Sequence, residues 1–181
     1  REKLVHDWWG NKYAFQSGIS SRLPYSFVET KPMRVTAEFT AIRPWTYTHF
    51  LLYDKYTHDD RCLGFPFGAN LLHYAMKLEV PLPWDCSYTG YVSYMRQGVD
   101  PVPGQDSVGS SPFTNYNQYI DVTYHDTATW LQGKIENTTR IENSFRIGVL
   151  KHHRLFLSQS AQKTDKHKWD NQIVLGWQLV Y

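Results

Sequence analysis

The residues best equipped for chemistry are eight histidines, two cysteines and a few acid–base neighbours. His58-Asp59-Asp60, with Asp54 just upstream, offers oxygen donors to a divalent cation. The spaced acids and the glycine that shape a calcium loop are missing, so a solvated charged loop is the expectation. His152 and His153 adjoin a strand-like segment. Neighbours in a strand point to opposite faces, so the pair is poorly placed to hold one ion. His125-Asp126 and Asp165-Lys166-His167 are adjacent acid–base pairs, and adjacency alone does not supply the geometry of proton transfer. Gly-x-Ser-x-Gly is absent. Cys62 and Cys86 lack the surroundings of a nucleophile. Gly104 to Gly109 lacks the Gly-Lys-Ser/Thr ending of a phosphate cradle, and no dinucleotide fingerprint follows a strand-like run. No catalytic residue, metal ligand or cofactor is therefore expected, and the balance is against an enzyme.

Residue types suited to contact are more prominent. The chain holds 7 Trp, 13 Tyr and 9 Phe. Tyr and Trp combine a large apolar face with a polar tip, which suits half-buried strands and contact surfaces. Val80-Pro81-Leu82-Pro83-Trp84 precedes Tyr88, Tyr91 and Tyr94. Two prolines cannot serve a central ladder, so this piece is an edge or a loop. Trp84, Tyr88, Tyr91 and Trp45 are the candidate contacts, for a sugar ring, a lipid interface or a subunit seam. Over fewer than about 20 residues the stretch resembles the membrane-docking region of actinoporin-like pore formers, but the long amphipathic N-terminal segment of such proteins is not found upstream. A basic patch runs from 140 to 168. Arg140, Arg146, Lys151, Arg154, Lys163, Lys166 and Lys168 face only Glu142 and Asp165, a local charge of +5. Such a patch can serve nucleic acid, and a solvated hairpin face is the plainer reading.

The chain that must position these groups has 181 residues, the size of one domain. It is expected to be a single β domain over 1–181, with an N-terminal arm and edge over 1–33 and a long flexible loop over 98–112. Net charge is only +2, which names no polyanion partner for the whole chain. Two cysteines make no disulfide framework, and free buried thiols are expected. Asn137-Thr138-Thr139 is a glycosylation triplet of the kind that arises by chance. No apolar run approaches the ~20 residues of a membrane-spanning helix, and no signal peptide is visible. The first residue is Arg1 rather than Met. The compartment is left open.

Alternation gives the elements. Val35, Ala37, Phe39 and Ala41 alternate with polar neighbours, which predicts a half-buried strand over Arg34–Arg43. Thr46–Tyr53 reads as a second strand. Asn70–Val80 fits a helix or a strand, and Lys77–Leu82 is read as strand. Tyr88–Arg96, Gln118–His125, Trp130–Ile135, Phe145–Leu150 with Arg154–Gln159, and Gln172–Tyr181 follow. In the last, Ile173, Leu175, Trp177, Leu179 and Tyr181 share one face and are expected, with Phe39, in the core. About eight short strands with little helix predict an antiparallel sandwich or jelly roll, with a closed lipocalin-like barrel as the alternative.

The leading expectation for function is a non-enzymatic assembly protein, a jelly-roll subunit of a homo-oligomeric shell such as a small viral capsid. A carbohydrate- or ligand-binding sandwich is the second. The third is a barrel carrier, lyase or cyclase with an apolar cavity, into which Tyr47, His49 and His125 would point.

Overall fold

The computed structural model of the chain describes residues 8–24, 27–28, 31–49, 56–59, 61–100, 107–113, 128–150 and 153–179. Nine strands occur among them: β1 (Ala14–Leu23), β2 (Met33–Ile42), β3 (Thr57–His58), β4 (Arg61–Cys62), β5 (Leu71–Leu82), β6 (Cys86–Val99), β7 (Lys134–Leu150), β8 (His153–Thr164) and β9 (Asp170–Leu179). The described residues contain no helix. Seven strands form one open sheet in the order β1-β2-β5-β6-β7-β8-β9, and β3 pairs with β4 alone. The fold is thus all-β and antiparallel, consistent with a sandwich-like architecture. It is not a closed barrel: β1 and β9 end the sheet without meeting, so the lipocalin-like alternative is set aside.

Several elements differ from the sequence expectation for identifiable reasons. β1 falls in a stretch read as arm and loop. Gln16, Ser17, Ser20 and Ser21 carry no apolar alternation, because an edge strand exposed on both faces needs none. The stretch that fitted helix or strand is strand from Leu71, and β5 includes the Lys77–Leu82 run read as strand. Thr46 begins no strand: residues 44–47 form a turn, closed by Thr46 Oγ1 donating to Arg43 O (2.7 Å) and Thr48 Oγ1 to Trp45 O (2.8 Å). Threonine hydroxyls compete in this way with the ladder. Trp130 and Leu131 are turn, and the strand starts at Lys134. Residues 50–53, Tyr181 and the Gln118–His125 strand lie outside the described residues. Within the long loop, 107–113 is tied down: the Asp100 carboxylate accepts from Ser107 Oγ (2.6 Å), Val108 N (2.7 Å) and Ser111 N (3.1 Å).

The chain divides into two compact units. The first comprises Arg1–Gln16, Thr40–His73 and Met95–Asn137; the second comprises Ser17–Phe39, Tyr74–Tyr94 and Thr138–Tyr181.

The first unit has a core. Ile42, Ala69, Leu71 and Met95 pack together, flanked by Tyr47 and Phe65. Two polar side chains are buried beside it. Asn70 sits in the left-handed region (φ 57°) and clamps distant segments: its Nδ2 donates to Gly98 O (2.8 Å) and Gln132 O (3.0 Å), and its Oδ1 accepts from Gln132 N (3.0 Å). Arg43, only 1% exposed, lies over the rings of Tyr13 (5.4 Å) and Trp130 (5.8 Å) and donates through Nη2 to Ala128 O at 2.6 Å.

Lys12 in this unit is part-buried, with Nζ donating to Thr48 O (2.8 Å) and 5.4 Å from the Trp9 ring. Burial lowers its pKa from 10.5 to about 8. The folded state therefore releases this proton more readily than the unfolded chain. The cost of holding the charge is present in full below about pH 8 and is relieved as pH rises towards 10.5. We expect the urea midpoint of the wild type to rise across that window relative to Lys12→Met, which keeps the stem and removes the amine. Parallel curves for the two proteins would contradict this.

The second unit is built differently. Among its described residues Val80 is the one buried apolar side chain. Yet its strands alternate as a half-buried sheet should. Antiparallel partners share a face. The register Phe145↔Leu157↔Leu175 and Ile147↔Leu155↔Trp177 lines up one apolar face across β7, β8 and β9. The intervening register Arg146↔Phe156↔Gly176 and Ser144↔Ser158↔Val174 makes the other face mostly polar. Tyr88 donates to Asn143 Oδ1 (2.7 Å), which puts Tyr88 of β6 on the apolar side.

Candidate functional site

The apolar face of β7–β9 is uncovered. Ile173, Leu175 and Trp177 are 71%, 76% and 65% exposed, and Ile141, Ile147, Leu155, Leu157 and Leu179 are exposed as well. Of the residues expected to be core on the last strand, Ile173, Leu175, Trp177 and Leu179 are therefore surface. The alternation was a true sign of a face that avoids water; what covers that face is not found among the described residues. Together these eight side chains expose on the order of 900 Å², comparable with the ~800 Å² each partner contributes to a standard interface. Among the described strands β9 also ends the sheet, so one side of its backbone has no ladder partner among them. His153, opposite Leu179, stacks on Trp177 with centroids 5.1 Å apart.

Trp84 is placed outside in a different way. Pro83–Cys86 is a two-residue hairpin turn, with Cys86 N donating to Pro83 O (3.2 Å) and positive φ at Trp84 (58°) and Asp85 (54°). Such turns favour Asn-Gly, because a bulky residue in the left-handed region costs about 1–2 kcal/mol. The ring pays this strain while standing 89% exposed at the hairpin tip. Tyr88 and Tyr91 are half-buried in β6. Trp45 is 3% exposed in the first unit, so its ring offers no face to a ligand.

The basic patch does not stay together. Arg140, Arg146 and Arg154 share the polar face of β7–β8, whereas Lys163, opposite Thr139, belongs to the apolar side. Lys166 and Lys168 lie in the β8–β9 connection, and Lys151 lies outside the described residues. Arg140 pairs with Glu142, and Arg154 with Asp85 at 3.4 Å. Arg34, which the sequence did not mark, joins Arg146 in a cleft of about 360 Å³ with Glu79, Ser87 and Thr89.

No group of three His, Cys, Asp or Glu side chains is placed to hold a metal among the described residues. His58 and Asp59 pair locally at 3.3 Å on an exposed turn. Cys62 and Cys86 are free and half-buried, one in each unit. Tyr47 is part-buried, stacks on Tyr56 (5.8 Å) and accepts from Phe65 N (3.1 Å); burial raises its pKa. His49 is exposed, and His125 lies outside the described residues. A cleft of about 580 Å³ in the first unit is lined by Arg61, Cys62, Phe67, Gln97 and Phe113, with no acid–base pair among them. The described residues include no helix long and apolar enough to cross a membrane.

Fold and surfaces define an all-β antiparallel protein with an open sheet and an uncovered apolar face. Comparison with protein families, curated proteins and solved structures finds no match for the chain.

Proposed function

We propose that the chain is a structural assembly protein, a β subunit of an oligomeric shell of the kind that small viral capsids build from jelly rolls. One observation carries this reading: a sheet whose second unit, among its described residues, buries a single apolar side chain while presenting a contiguous apolar face. A sheet face of this kind is stable only against another layer. A second copy of the chain supplies that layer, since two such faces stack about 10 Å apart as a sandwich does. The open β9 edge adds backbone pairing between copies.

Amide hydrogen exchange tests the surface. Protection over Asp170–Leu179 is expected to increase with protein concentration, while Ala14–Leu23 at the opposite edge stays unchanged. Exchange in β9 that is fast at every concentration would overturn the reading. Carbohydrate binding keeps one point in its favour, the outward ring of Trp84, and loses the second ring that Trp45 would have given a platform.

A further inference from the structure

The polar face carries a second surface, distinct from the apolar one. Arg34 of β2 and Arg146 of β7 line one cleft with Glu79 of β5 and the hydroxyl-bearing Ser87 and Thr89 of β6. Glu79 is already engaged by Lys77 at 2.9 Å. Neither Arg34 nor Arg146 has an ion-pair or hydrogen-bond partner among the described residues, although Arg140 and Arg154 on the same face each have a carboxylate. Two unpaired guanidiniums beside two hydroxyls are matched in charge and hydrogen bonding by a phosphate group.

A third arginine lies beyond the cleft, paired with Asp85. Arg154 lies opposite Gly148, two residues along β7 from Arg146. Diagonal neighbours of this kind are about 7–8 Å apart. Asp85 fills the space beside Gly148, its side chain 2.9 Å from where a Cβ would stand, and holds Arg154 in an exposed pair at 3.4 Å. A chain of phosphates crossing β7 and β8 meets Arg146 and then competes with Asp85 for Arg154, whose exposed pair is weak, whereas a lone anion in the cleft meets Arg34 and Arg146 alone. We propose that this cleft binds the phosphate backbone of a single-stranded nucleic acid. Backbone contacts of this kind position the strand and read no sequence. The inference stands apart from self-association, because the titration below reads binding at any particle mass.

The test is fluorescence anisotropy with labelled oligothymidylate over a range of salt. Arg34→Ala/Arg146→Ala should weaken binding by about one to two orders of magnitude and lower the salt slope by about 1.4, at ~0.7 per single-strand phosphate contact. Arg34→Lys/Arg146→Lys should recover most of the affinity, since a point charge still serves phosphate. Arg61→Ala/Lys163→Ala removes as much charge away from the cleft and should leave affinity nearly unchanged. Circular dichroism confirms that each variant is folded. No binding at low salt, or an equal loss in both alanine pairs, overturns the proposal. Inorganic phosphate is titrated separately by calorimetry. Saturable binding with the same arginine dependence would reassign the cleft to free phosphate and also overturn it.

Discussion

On the proposed assembly, Leu175→Arg combined with Trp177→Arg is expected to weaken self-association by about three orders of magnitude and to leave the fold of the subunit intact. Both side chains are mostly exposed in the single chain, so their replacement removes little that the subunit itself needs. In the proposed assembly they would be covered. Burial of a large apolar side chain contributes roughly 1.5–3 kcal/mol, and a guanidinium forced into the same seam adds a desolvation cost. A combined loss of about 4 kcal/mol corresponds to roughly a thousandfold. Gln178→Arg is the control. It lies one residue further along β9, opposite Arg154 on the polar face, and should leave association unchanged. Sedimentation velocity separates the cases. Wild-type association in the double variant, or an equal loss from Gln178→Arg, would show that the copies meet elsewhere.

Asn70→Ala destabilises the first unit by about 4 kcal/mol, read from urea unfolding. The substitution strips partners from Gly98 O, Gln132 O and Gln132 N together. Each buried polar group left unpaired costs about 1–3 kcal/mol. Alanine also meets the left-handed backbone less readily than asparagine does, by about 1 kcal/mol. Asn70→Gly should recover only that last part. Asn70→Asp should be as damaging as alanine, since a carboxylate cannot donate to two carbonyls. A loss below about 1 kcal/mol for Asn70→Ala would mean that the clamp contributes little.

Much of the fold was legible because strand alternation is a local signal. β2, β6 and β9 overlap the runs read from period two. The edge strand β1 was not legible, since both its faces meet water and its sequence is that of a loop. Turns stabilised by side chains, such as Arg43–Thr48, look like strand when only β-propensity is read. The most instructive difference concerns Ile173, Leu175, Trp177 and Leu179. Period two says which face avoids water, but it cannot say whether the covering layer comes from the same chain. Clustering was also illegible. Of the seven basic residues close in sequence, the six that are described fall on two faces and a turn, while Arg34, more than a hundred residues from Arg146, shares its cleft. Asn70 and Arg43 gave no sign of their roles, because burial of a polar residue depends on partners far along the chain.

The mass of the native particle, measured by light scattering over a wide concentration range, bears most directly on the assembly reading. One chain weighs 21.3 kDa. A particle at an integer multiple of that mass, falling back to the single-chain mass with Leu175→Arg/Trp177→Arg, is the expected result. A particle of 21.3 kDa at every concentration would contradict the assembly function.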